Sequence, residues 1–367
     1  MHPEHENYNM PQHVHTFTSS CAFSRCCHAF SSIFAQLNQA RELVVRVALL
    51  GKVLRVGMSP LGVLRLTIVL LILLVPTIVL NLMQFLSLLF RPFAPKGAAL
   101  FNCFCAGAVW FYLQSVFERL DDAKITFSGD QLPDMENCLI ISNHVGFSDF
   151  FLIHAVAIRR RMVSNCKYFA KDSLKWIPFF GWGMWLMGMP FMKRNWASDA
   201  SRIEKVFSTI KDLKLPVWLI SYLEGTRYTE AKAAESKAFA KEKGLPQLEK
   251  VLLPRTKGFV ATVSAFRHSH VKYVYDFTIV YKHVEKGLQV SPSLPRIFTG
   301  ALSKEYKFHV HVKKYAIASL PTDPEKLSQW AVERYEEKDA LLQKMQVSWT
   351  DKIRLKVDPW PRNVVTN

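Results

Sequence analysis

The chain has 367 residues, half of them hydrophobic, with 47 lysines and arginines against 30 acidic residues, a formal net charge of +17. That length exceeds the usual single domain, and the charge implies anionic partners such as phospholipid headgroups, phosphorylated cofactors or nucleic acid. The absence of zinc-finger spacing, an RNP aromatic motif or a basic zipper argues against nucleic acid, and seven cysteines without a CxxC pair argue against a disulfide framework or zinc site and for a reducing, cytosol-facing environment.

Residues 1–40 are polar and show no early apolar core of a signal peptide. His2, His5, His13 and His15 could bind a metal in principle, but such a segment has little to bury and reads as a disordered tail. Arg41 to Gly57 mixes Val, Leu and Ala with Arg41, Arg46, Lys52 and Arg55, which fits either a basic amphipathic helix on an anionic bilayer or an ordinary packed helix. Leu66 to Phe90 is uncharged over 25 residues, enough to cross a hydrocarbon core roughly 30 Å thick. Pro76, in its middle, favours a kink or break. After Arg91 to Gly97 comes a second uncharged stretch, Ala98 to Phe117. The pair predicts a membrane hairpin, spanning or re-entrant, within a membrane-associated segment 41–117, and Arg55 and Arg65 favour a cytosolic side for both ends. Asn81 and Gln84 leave soluble core helices as the alternative.

From 118 to 345 the composition is that of a globular domain. Cys138 to Ser142, Lys167 to Ala170, Val217 to Leu223 and Val274 to Tyr281 are apolar runs of buried-strand type. Helical patterns alternate with them, beginning at Ser148 and Ser198 and ending at Gly244. This alternation predicts an α/β domain. Ile177 to Met192 is uncharged and reads as buried core, as the wall of an apolar groove, or as both. Lys307 to Lys314 alternates as a half-buried strand whose His309 and His311 share a face. They could ligate a metal, but with no third ligand nearby a polar outer face explains them better. Thr322 and Glu325 have capping-box spacing before a last helix running towards Met345, and 346–367 is a tail.

Two polar constellations follow apolar strands. In "SNHVGFSDFF" His144 and Asp149 stand at i and i+5, about 140° apart on an ideal helix, so they meet only across a turn. Gly146 allows such a turn, and Ser148 or Asp149 can cap the next helix. Asp149 can then fix the imidazole tautomer and leave the other nitrogen as a general base, although a plain capping turn has the same pattern. In "SYLEGTR" Glu224, Gly225, Thr226 and Arg227 end a strand, where α/β sheets place ligands and where an arginine suits a phosphate. An ordinary turn with an exposed arginine is the alternative.

"NHVGFSD" and "EGTR", with "GMPFMKR" between them and "LLPRTKGF" after them, resemble in order and spacing the signature blocks of the glycerolipid and lysophospholipid acyltransferases. The stretch from Glu224 to Phe259 and the ending "LPTDPEKLSQWAVERYEEKDALL" are similar to the eukaryotic 1-acylglycerol-3-phosphate acyltransferases of the endoplasmic reticulum. The resemblance implies an acyltransferase-type mixed sheet flanked by helices, preceded by the helical hairpin, with the catalytic domain facing the cytosol from the endoplasmic reticulum membrane. It implies acyl-CoA as co-substrate, no bound cofactor or metal, and a lysophospholipid acceptor. His144 becomes the base and Asp149 its partner. Glu224, Gly225, Thr226 and Arg227 become the acceptor phosphate block, and Lys193 and Arg194 become contacts for acceptor or CoA phosphates. Pro254 is as much structural as contacting. Tyr222 and Leu223 depart from the phenylalanine-proline that many relatives carry. Arg227 favours lysophosphatidic acid over lysophosphatidylinositol, because a phosphomonoester offers more charge and more free oxygens. A non-catalytic lipid-binding scaffold is the rival from another class.

Overall fold

The computed structural model describes residues 60–193 and 196–347. The N-terminal tail, the basic segment Arg41 to Gly57, Arg194 and the C-terminal tail beyond Val347 lie outside the described residues.

The strands are β1 (Ile125–Gly129), β2 (Cys138–Ser142), β3 (Cys166–Tyr168), β4 (Ala170–Lys171), β5 (Phe191–Met192), β6 (Trp218–Tyr222), β7 (Tyr273–His283), β8 (Gly287–Leu288) and β9 (Tyr306–Ala316). The main sheet runs β1-β9-β7-β2-β6-β3, with β8 beside β7. It is mixed: β7 is antiparallel to β8 and β9, and the other neighbours are parallel. The expected strand over 167–170 is divided, because β4 pairs with β5 in a separate small sheet.

The helices are α1 (Pro60–Ser87), α2 (Pro95–Ser115), α3 (Asp149–Arg159), α4 (Phe180–Leu186), α5 (Trp196–Asp212), α6 (Glu230–Glu242), α7 (Thr256–Phe266), α8 (Leu294–Ile297) and α9 (Pro324–Val347). All of β2 is buried, and its near-continuous apolar run needs cover on both faces. Ile140, Trp218 and Tyr275 point to a core shared with Phe151, Leu152 and Phe117. Leu139, Ile141 and Leu219 point the other way, to Phe207, Val263 and Leu327 of α5, α7 and α9. The buried pair Lys338 and Asp276 fastens α9 to β7, and the Tyr335 hydroxyl donates to the Ser142 carbonyl at 2.9 Å.

Several expectations need correction. α1 runs through Pro76 without a break. Asn81 and Gln84 are buried ties rather than flaws: Asn81 donates to the Phe179 carbonyl at 3.1 Å and Gln84 to that of Asn102 at 2.9 Å, joining α1 to α2 and to the segment entering α4. Leu71, Val75, Leu82, Leu86 and Phe93 are exposed. Pro95–Leu120 is long and apolar enough to cross a membrane, with 50% of its apolar window buried within the protein. The cap of α9 is Asp323, not Thr322: with Pro324 first in the helix, its carboxylate accepts the Lys326 N–H at 2.9 Å. His309 is buried rather than outward, bonded to Thr126 at 2.8 Å and Ser128 at 2.7 Å, because β1 flanks β9 there. In Ile177 to Met192, Met184, Met187 and Phe191 pack on Cys103 and Trp110 of α2, whereas Trp185 is exposed.

Candidate active site

β2 and β6 are parallel neighbours that end together, Ser142 opposite Tyr222. The loops that follow therefore rise side by side from the carboxyl edge of the sheet, where α/β folds place their ligands. Asn143 anchors the first loop by pairing with the β7 backbone, donating to the Ile279 carbonyl at 2.9 Å and accepting its N–H at 2.7 Å. Gly146 lies so close to Ser291 that a methyl group there would come within 2.0 Å of the serine hydroxyl oxygen.

The turn brings His144 and Asp149 together. Nδ1 of His144 is 2.7 Å from Oδ2 of Asp149. A carboxylate only accepts, so Nδ1 carries the proton and Nε2 keeps a lone pair. Asp149 also accepts the N–H groups of Val145 at 2.8 Å and Gly146 at 3.0 Å, and the Tyr281 hydroxyl at 2.8 Å. It opens α3 but its carboxylate turns back into the loop instead of capping the helix, and Ser148 makes no cap bond either. The Ser148 hydroxyl donates to Tyr281 at 3.0 Å. Burial pushes the Tyr281 phenol well up, so it stays a donor. Asp149 is 1% exposed and His144 21%, which leaves the imidazole edge open to the surface.

The second loop braces the first. Tyr222 stacks on the imidazole with centroids 4.2 Å apart and planes 15° apart. Glu224 accepts the His144 N–H at 3.0 Å, and the Tyr228 N–H donates to the His144 carbonyl at 2.7 Å. Glu224 is buried, and burial pushes its carboxyl well up against the opposing pull of the His144 and Leu252 backbone N–H groups. It is a strut beneath the loop rather than a group facing the opening, which differs from the phosphate contact that the sequence implied. Gly225 turns the chain at φ +70°, a left-handed conformation that favours glycine. Thr226 is half-buried and Arg227 is exposed. The Lys193 side chain is also exposed, while its backbone N–H donates to Asp199 at 3.0 Å.

Tyr281 and the stacking of Tyr222 were not read from the sequence. A tyrosine inside a buried strand needs a partner for its hydroxyl, which is the signal that could have found Tyr281. No cluster of three metal-ligating side chains occurs among the described residues.

A histidine held by a buried aspartate at the carboxyl edge of a mixed sheet has the geometry to exchange a proton with a bound group, and known proteins of similar sequence place the chain in a class. The chain belongs to the acyltransferase family: residues 124–282 match the acyltransferase model and residues 297–348 the acyltransferase C-terminus model. It is 35% identical over 240 residues to the probable 1-acyl-sn-glycerol-3-phosphate acyltransferase 5 of Arabidopsis thaliana, covering 64% of this chain and 60% of that one. To 1-acyl-sn-glycerol-3-phosphate acyltransferase 2 of Brassica napus it is 32% identical, covering 73% and 68%. To the gamma form of Homo sapiens it is 31% identical, covering 72% and 69%. The crystal structure of the 1-acyl-sn-glycerophosphate acyltransferase PlsC from Thermotoga maritima covers 75% of this chain and 98% of its own at 15% identity and a TM-score of 0.43, too distant to locate any residue.

Proposed function

We propose that the protein transfers a fatty acyl chain from acyl-CoA to lysophosphatidic acid, giving phosphatidic acid, and that His144 is the general base. The observation that carries this is the 2.7 Å bond from Nδ1 of His144 to Asp149, which leaves Nε2 as the proton acceptor at an exposed edge. Nε2 takes the proton of the acceptor's free hydroxyl as its oxygen attacks the thioester carbonyl. The C–S bond breaks when the tetrahedral adduct collapses, and the thiolate takes up the proton that His144 carries. Asp149 orients the ring and stabilises the transient imidazolium. Relatives named for the same acceptor support the choice of substrate.

In this reading Arg227 and Thr226, with Lys193 and Arg194, meet the phosphates of acceptor and coenzyme. Glu224 and Gly225 shape the turn. In the same reading α1 and α2 anchor the catalytic domain 118–345 to the endoplasmic reticulum membrane as a helical hairpin, with the exposed apolar side chains of α1 towards lipid. The lipid acceptor then enters from the bilayer while CoA remains in water. The test is release of free CoA from acyl-CoA by the purified full chain against a panel of lysophosphatidic acid, lysophosphatidylinositol and other lysolipids. Release with lysophosphatidic acid is expected; release only with lysophosphatidylinositol would refute the acceptor.

A further inference from the structure

Arg255 lies at the glycine of the Glu224–Arg227 turn. It precedes α7, and its backbone N–H donates to the Leu223 carbonyl at 2.7 Å, pinning it to the end of β6. A methyl group on Gly225 would come 3.1 Å from Cδ, 3.4 Å from Nε and 3.6 Å from Cζ of Arg255, so this side chain lies along the bare face of that glycine. The left-handed φ of +70° is one reason for glycine there, and the passing arginine is a second. Arg255 is exposed, as is Arg227, and neither has a carboxylate partner among the described residues. One guanidinium group thus belongs to this turn and a second passes its glycine, and the turn is bonded through Glu224 and Tyr228 to the backbone of His144.

We propose that Arg255 and Arg227 together clasp a phosphomonoester, a contact that rests on the acyl-transfer reading for its role in the reaction. A phosphomonoester carries up to two charges and three free oxygens, enough for paired hydrogen bonds from two planar guanidinium forks, whereas a phosphodiester offers two oxygens and one charge. Two ligands bring this chemistry: the headgroup of lysophosphatidic acid and the 3′-phosphate of CoA.

Arg255→Ala and Arg255→Lys, compared with the wild-type full chain, decide between them. With the acceptor as source, Arg255→Ala raises KM for lysophosphatidic acid by about tenfold, the loss of one charge-assisted contact, while kcat stays within about twofold. Its KM for the phosphodiester lysophosphatidylcholine and for acyl-CoA stays unchanged, and Arg255→Lys falls between. With the coenzyme as source, KM for acyl-CoA rises instead, and the difference from wild type vanishes with the 3′-dephospho donor. If neither KM moves in a variant with unaltered melting temperature, the clasp is refuted. Glycerol 3-phosphate supplies a readout that needs no turnover. If the wild type releases no CoA with any acceptor, the activity fails on its own; a rise in melting temperature with that probe, lost in Arg255→Ala, still supports the clasp, and an equal rise in both refutes it.

Discussion

The Asp149 carboxylate bonds Nδ1 of His144 at 2.7 Å while it accepts the backbone N–H groups of Val145 and Gly146 and the Tyr281 hydroxyl. One side chain therefore orients the imidazole and holds the turn that presents it. Asp149→Asn keeps one acceptor oxygen but can donate to Nδ1, inverting the tautomer, and lowers kcat by roughly 10²–10⁴-fold. Tyr281→Phe removes one donor to Asp149 and costs about tenfold in kcat, of the order of one charge-assisted hydrogen bond. Steady-state kinetics checks both, and an Asp149→Asn enzyme as fast as wild type would remove Asp149 from the mechanism.

Glu224 separates a strut from a ligand. Burial already disfavours its charge, and its bonded oxygen accepts the His144 N–H. Glu224→Gln keeps that acceptor and retains kcat within about threefold, whereas Glu224→Ala leaves the N–H without its partner and loses at least tenfold. Equal losses in both would mean that the charge itself acts.

Tyr222 presents its ring face to His144. An aromatic face favours a cation above it, so Tyr222→Leu removes a favourable contact with the imidazolium formed during transfer and reduces kcat by about tenfold. Tyr222→Phe keeps both. If Phe and Leu behave alike, the hydroxyl and not the face matters.

His154 gives a pH dependence outside the site. It is fully buried, touching Trp110, Phe150 and Tyr168, and burial lowers its pKa from 6.5 to about 3. Below the upper value the unfolded chain binds a proton that the folded chain refuses. The stability is therefore present above about pH 6.5 and lost as pH falls towards about 3, by up to about 5 kcal/mol. His154→Phe fills the same aromatic surroundings without titrating. The drop in melting temperature between about pH 7.5 and pH 5 should be smaller in the variant by the equivalent of about 2 kcal/mol. An unchanged drop would contradict this assignment.

Much of this was legible because the strands are short, apolar and bounded by turns: CLIIS and WLISY lie where the pattern predicts them, and the i, i+5 spacing of His144 and Asp149 already required a turn. What was missed depends on contacts between distant segments. The Tyr281 hydroxyl reaches Asp149 only because β7 lies beside β2, and Arg255 reaches Gly225 only because the chain returns to the end of β6 before α7. Glu224 carries the polar character of a ligand, and only its burial shows a strut. His309 and His311 read as an outer face until β1 was seen to flank them on the sheet.

The central claim is that His144 is the base of acyl transfer, and its most direct test is CoA release from acyl-CoA and lysophosphatidic acid by wild type and His144→Ala, both purified as full chains. The His144 backbone bonds to Glu224 and Tyr228 do not need the imidazole, so the variant folds as wild type does. Its turnover falls by roughly 10²–10⁴-fold, the usual contribution of a positioned base. Wild-type turnover in the folded His144→Ala variant would contradict the account.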